Sequence, residues 1–204
     1  METRSHHGKG RRSAIGLIAL LVLIVLFFVV WLILWRSSST KDIVDARTVP
    51  VITVASSSFT DGGMIPSKFT CDGGDISPQL TASGFPANTK SLAWVVDDPD
   101  APIGTFTHWV IFNLPTELSS LPEGASARPE NLLHAIQGKN DFDKIGYGGP
   151  CPPGEKPHHY VFHAYAVDSL LELSEGATKS EVASALKGHI LAEGKLVGLY
   201  VRGR

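Results

Sequence analysis

Two apolar runs, Ser91-Leu92-Ala93-Trp94-Val95-Val96 and Trp109-Val110-Ile111-Phe112-Asn113-Leu114, enclose the segment that most constrains this chain: Asp97-Asp98-Pro99-Asp100-Ala101-Pro102. Both runs read as buried strands. Three carboxylates and two prolines therefore crowd a tight turn between core strands, with His108 at the mouth of the second strand. Packing does not gather carboxylates there, because burying them unpaired is costly. A second stretch looks built to face the first. It runs Gly146-Tyr147-Gly148-Gly149-Pro150-Cys151-Pro152-Pro153-Gly154, then Pro157-His158-His159-Tyr160-Val161-Phe162. The two are expected to form one small polar pocket at the edge of a β-sheet.

Residues 14–35 hold 22 residues without a charge. As a helix this run is roughly 33 Å long, enough to cross a hydrocarbon core of about 30 Å. Trp31 and Trp35 fall at one end, where amphipathic rings favour the interface. A cleaved signal peptide has an apolar region of only ~7–15 residues and a small-residue cleavage site. This run is longer and ends in Trp35-Arg36-Ser37, so an uncleaved anchor is the reading. Arg4, Lys9, Arg11 and Arg12 precede it against Glu2 alone, which puts the N-terminus in the cytoplasm and the rest outside. The expected organisation is a basic tail (1–13), a transmembrane helix (14–35), a tether (36–48) and one domain (49–204). The tether reaches roughly 20 Å, so the domain stays near the bilayer. The formal net charge is near neutral at -2, and no nucleic acid is expected as a partner.

Cys71 and Cys151 lie in the outer domain. An oxidising compartment permits a disulfide between them, closing a loop of about 80 residues worth ~4–5 kcal/mol in the chain-entropy model. Metal ligation is the other functional reading, weak without a Cys-x-x-Cys, and two buried free thiols are the plain one.

Within the domain, strands are expected at 49–54, 79–83, 132–136, 160–167 and 195–201, besides the two that flank the central turn. The Gly- and Pro-rich stretch 137–157 reads as a long ordered loop, since a strong strand follows it. Thr178-Lys179-Ser180-Glu181 is a capping box opening a helix with Val182, Ala185, Leu186 and Ile190 on one face. Many strands, long connections and one late helix point to a mostly β fold, an antiparallel β-sandwich with one or two short helices.

Asp98 and Asp100 are two apart, so in extended chain they point the same way. A carboxylate beside His108 is expected to raise the imidazole pKa. The Gly148-Gly149 pair lets backbone N–H groups approach a ligand, as in an anion-binding nest. Tyr160 adds a hydroxyl donor, and His158 shares its strand face. Such donors suit a phosphate or carboxylate, the carboxylates suit an ammonium, and a zwitterionic head group satisfies both. Taken singly, each residue also has a plain structural use: turn-former, strand histidine, tight loop. His134, His159, His163 and His189 have nothing nearby to single them out.

These residues carry a resemblance. Asp98-Pro99-Asp100-Ala101-Pro102, His108-Trp109, the 146–153 loop and His158-His159-Tyr160 resemble the phosphatidylethanolamine-binding protein family, in its prokaryotic Raf-kinase-inhibitor-like branch. So do Phe69-Thr70-Cys71-Asp72-Gly73, Asp75-Ile76-Ser77-Pro78 and Gln137-Gly138-Lys139-Asn140-Asp141-Phe142. The resemblance spans about residues 50–202. It implies a β-sandwich with a large antiparallel sheet and an anion pocket at Asp98, Asp100, Pro102, His108, Gly149, Pro150, His158 and Tyr160. Members often carry a cis peptide at the proline matching Pro102. Two positions depart: His159 stands where Arg is common, and Asp143 where Gly is frequent.

The expected function is a membrane-anchored extracytoplasmic binding protein for phosphorylated head groups or other small anions. The alternative is an inhibitor or regulator of a kinase or protease through protein contact, as the resemblance allows. A metal enzyme using Asp98, Asp100, His108 and His158 is the third reading. No Gly-x-Ser-x-Gly, His-Glu-x-x-His or phosphate-loop motif supports a hydrolase, so no enzyme, cofactor or metal is expected.

Overall fold

The chain places its apolar runs where both faces can be covered. In the computed structural model, which describes residues 49–128 and 132–203 with Ile24, Leu26 and Trp31, the first run is the middle of a six-stranded sheet. Nine strands are described: β1 (Thr53–Ala55), β2 (Gly63–Met64), β3 (Leu80–Ser83), β4 (Ser91–Asp98), β5 (Phe106–Leu114), β6 (Ser120–Leu121), β7 (Ile136–Gln137), β8 (His158–Val167) and β9 (Ile190–Tyr200). One α-helix, α1 (Lys179–Leu186), precedes the last strand. The large sheet has the order β2-β9-β8-β4-β5-β7, and a three-stranded sheet has the order β1-β3-β6. Pairing is antiparallel except between β2 and β9.

Every residue of β4 is buried. That follows from its position: a strand covered on both faces needs an unbroken apolar run, not an alternating one. On one face Leu92, Trp94 and Val96 join Trp109, Ile111, Phe162 and Ala164, and the small sheet adds Leu80, Ala82 and Leu121 to the same cluster. On the other face Ala93 of β4 with Val110 and Phe112 of β5 packs against Val182 and Leu186 of α1. Each large side chain buried this way contributes roughly 1.5–3 kcal/mol. Residues 49–203 are thus mostly β, with one α-helix among the described residues there.

The capping box forms as expected. The Thr178 hydroxyl accepts from the Glu181 N–H, and the Glu181 carboxylate accepts from the Thr178 N–H. The helix stops at Leu186, and Gly188 takes φ +87°, so Ile190 belongs to β9 and not to the helical face. Two expected strands shrink. Residues 132–136 hold only Ile136 in a strand, because Leu133 and His134 adopt φ of +46° and +75°, outside the extended region. In 49–54 the ladder begins at Thr53, with one isolated bridge from Val51 to Glu193. The Ala101–Pro102 peptide is trans, since no cis bond occurs among the described residues.

Val49–Arg204 forms a compact unit of its own. The basic tail, the tether and almost all of the apolar run 14–35 lie outside the described residues. Among the described residues no helix is long and apolar enough to cross a membrane.

The cap carries a measurable share of the stability of α1. Thr178→Ala is expected to lower unfolding free energy by about 1 kcal/mol, read from the urea midpoint at unchanged slope.

Candidate functional site

The end of β4 delivers the carboxylates. Successive strand residues face opposite ways, so Asp97 and Asp98 part company. Asp97 turns to the helix side, where the Lys179 ammonium donates to its Oδ2 at 2.6 Å. Asp98 turns to the side of Trp94 and is 3% exposed. Its Oδ1 accepts the Asp100 N–H at 2.8 Å, and its Oδ2 meets His158 Nδ1 at 2.7 Å. Asp100, more exposed, receives both the backbone N–H and Nδ1 of His159 on its Oδ2, at 2.8 and 2.7 Å. The His159 N–H, then its imidazole, hold the Asp100 carboxyl below the usual carboxylate range. The two carboxylates thus take two successive histidines of β8. Sequence reasoning had left His159 aside; its adjacency to His158 was the available signal.

His108 reaches the site through an irregularity. Val96 pairs with Trp109, but Asp97 pairs with Thr107, so the register shifts by one and His108 is the extra residue. A bulge of this kind re-aims a side chain. It turns the imidazole toward Tyr160, the ring centroids lying 5.2 Å apart. His108 Nδ1 donates to the Gly148 carbonyl at 2.7 Å. Burial pushes the His108 pKa below its ordinary value, against the opposing pull of the Gly148 carbonyl and Asp98. The expected rise is therefore corrected: desolvation outweighs the carboxylate.

Tyr160 is fully buried, and its hydroxyl sits beside the Asp98 carboxylate and the Cys151 backbone without a hydrogen bond of good geometry to either. Burial raises its pKa well above the ordinary phenol range, and the nearby Asp98 carboxylate adds to the rise.

The loop 137–157 is ordered by its own polar groups. Asn140 caps it, its Oδ1 accepting from the N–H groups of Phe142 and Lys144 and its Nδ2 donating to the Gly146 carbonyl. Asp143 adopts φ +60°, the left-handed region that glycine enters freely, which accounts for the frequent Gly in the branch it resembles. The nest expected of Gly148 and Gly149 does not form. The Gly148 N–H donates to the His108 carbonyl at 2.9 Å, and the Gly149 N–H to Asp75 Oδ1 at 2.6 Å. The glycines serve close packing instead: a Cβ on Gly149 would lie 2.4 Å from the Phe69 carbonyl oxygen. Pro150 accepts the Cys71 N–H, and Cys71 and Cys151 form a disulfide with Cα atoms 5.4 Å apart.

These elements enclose a cavity of about 250 Å³. Of the residues expected at a pocket, Asp98, Pro102 and His108 line it. His158 and Tyr160 stand behind, Asp100 is held on His159, and Gly149 and Pro150 brace the loop. The remaining wall is apolar: Ala101, Ile103, Phe106, Phe142, Cys151, Pro152 and Pro153. The rings of Phe106, Phe142 and His108 lie 4.7–5.4 Å apart. Phe106 was legible, standing two residues before His108; Phe142 was not, because only the loop brings it across. Among the described residues no group of three His, Cys, Asp or Glu side chains is placed to hold a metal ion.

The family profile described as phosphatidylethanolamine-binding protein matches residues 55–201. This chain belongs to that family. Among its relatives, UPF0098 protein PH1269 of Pyrococcus horikoshii is 50% identical over 150 residues, covering 72% of this chain and 75% of the relative. A UPF0098 protein of Aquifex aeolicus is 45% identical over 154 residues, covering 74% and 90%. Two crystal structures share the fold. One is a phosphatidylethanolamine-binding protein homologue, CT736, of Chlamydia trachomatis: TM-score 0.69, 40% identity, covering 75% of this chain and 99% of that one. The other is YbcL of E. coli: TM-score 0.70, 34% identity, covering 74% and 99%.

The buried Asp98–His158 pair should behave as a unit. His158→Ala leaves a buried carboxylate uncompensated and is expected to cost about 3 kcal/mol, whereas adding Asp98→Asn restores part of that loss. Urea unfolding of both single variants and the double variant checks it; additive effects would refute the coupling.

Proposed function

We propose that this family member is a binding protein whose cavity takes a small phosphorylated or otherwise anionic head group. The observation that carries it is the Tyr160 hydroxyl, buried beside Asp98 and the Cys151 backbone with no hydrogen bond of good geometry to either. A buried O–H so poorly met is costly, and a ligand oxygen entering past His108 would give it a better acceptor. His108 complements it. With Nδ1–H committed to Gly148, Nε2 is the ring atom left for a ligand. The apolar wall suits the carbon part of a head group. The sulfur of Cys151, which lines the cavity, is tied up in the disulfide and offers no nucleophile.

The same proposal reads the two packed sheets as a β-sandwich and the run 14–35 as a membrane anchor. The N-terminus is then cytoplasmic and the domain extracytoplasmic, in a compartment that permits the Cys71–Cys151 bond. Regulation of a kinase or protease by contact has one observation in its favour: Ile103 is 90% exposed at the cavity mouth.

The pH dependence follows from His108. Its pKa is depressed in the unliganded fold, so stability from the neutral ring is present above the unfolded value of about 6.5 and is lost as pH falls below it. A bound anion raises that pKa, so binding takes up a proton. Sulfate, whose charge is constant here, should therefore bind up to about tenfold tighter per unit fall in pH below neutrality. NMR titration following the His108 imidazole checks this; a pH-independent affinity would defeat it. Tyr160→Phe should weaken sulfate roughly tenfold while leaving the urea midpoint unchanged or raised.

A further inference from the structure

A second cavity, of about 420 Å³, lies on the large sheet, lined by Val51, Ile52, His163, Tyr165, Glu193, Gly194 and Lys195. It is within the size range of small-molecule sites. The register makes it. His163 of β8 lies directly opposite Lys195 of β9, and Tyr165 opposite Glu193. These four side chains alternate with the core residues Phe162, Ala164 and Ala166, so they stand on the other face of the sheet. The helix-side cluster covers Val167 and packs against the half-buried Tyr165, while Glu193 and Lys195 stay exposed.

Three features mark it as more than a solvated surface. The His163 and Tyr165 rings lie nearly parallel, 9° apart with centroids 6.1 Å apart, and both line the cavity. Glu193 and Lys195 carry opposite charges two residues apart on the same face, yet form no ion pair with each other or with any other described residue. Beside them the Asp97 Oδ1 is buried with no hydrogen-bond partner, close enough that its charge acts on both His163 and Tyr165.

We propose that this face is a second binding site, for the ring of an uncharged sugar. The negative face of an aromatic ring attracts the weakly positive C–H groups of a sugar ring. The rim then offers what hydroxyls need: the Glu193 carboxylate accepts, the Lys195 ammonium donates, and the Tyr165 hydroxyl and His163 imidazole do either. Glu193 and Lys195 cancel in charge, so the site does not select an ion. Nothing in the proposal uses the Asp98–His108 cavity, which lies on the opposite face.

Saturation-transfer NMR on the full chain in phosphatidylcholine nanodiscs tests it, with glucose and N-acetylglucosamine as probes at millimolar concentration. Saturation of the sugar C–H protons and a shift of the His163 imidazole resonance are expected with at least one probe. Tyr165→Ala and Glu193→Gln should each weaken that binding roughly tenfold, with the sulfate response of His108 unchanged. Glu193 is exposed, so Glu193→Gln tests the site even where Tyr165→Ala fails to fold. No saturation transfer with either sugar, or transfer that survives Glu193→Gln undiminished, overturns the proposal and leaves the reading of the first cavity standing.

Discussion

A carboxylate at the end of a fully buried strand sets the terms for everything around it. Asp98 is 3% exposed, and an isolated charge there would be prohibitive. Its two oxygens are met by the Asp100 N–H and by His158 Nδ1. The first contact closes the turn on itself. The second ties that turn to β8, sixty residues onward. Asp100 repeats the device with His159. The cavity wall at Ala101, Pro102 and Ile103 is therefore held by polar contacts at Asp98 and Asp100, just before it in the chain, and its position depends on the pairing of β4 with β8.

The opposite wall is held differently. The loop from Lys139 to Gly154 has little apolar mass of its own and is pinned by backbone groups to β5 and to the 67–75 segment. Asp141 and Thr107 exchange hydrogen bonds in both directions, Tyr147 donates to the Phe69 carbonyl, and the disulfide joins Cys71 to Cys151. Gly148 and Gly149 are needed because backbone and ring atoms stand where a Cβ would go. Both N–H groups are engaged by the protein, so the polar part of the cavity lining comes from side chains, Asp98 and His108. The outcome is a cavity in which Asp98 and His108 stand in an otherwise apolar, largely aromatic and prolyl lining.

Much of this was legible in the chain. The turn residues, the two flanking strands, the capping box and the ordered Gly-Pro loop follow from local chemistry, and each stands where it was expected. The errors share a cause. A strand at 132–136 fails on backbone conformation that no side-chain pattern reveals. The glycine nest fails because Asp75 and the His108 carbonyl, both distant in sequence, take the N–H groups first. The direction of the His108 pKa fails because burial depth, not the nearness of a carboxylate, decides it.

The sequence by itself determined the inventory: which residues carry charge, which runs must be buried, where the chain must turn, and to which family the motifs belong. Those properties are local, written in side-chain type and spacing. Tertiary structure alone decided how the inventory is used. A one-residue register shift between β4 and β5 turns His108 toward Tyr160 rather than away from it, because a strand shows its residues to alternate faces and one extra residue reverses the choice. The same parity sends Asp97 to Lys179 and Asp98 to His158, and two neighbouring carboxylates of identical type end on opposite sides of one sheet.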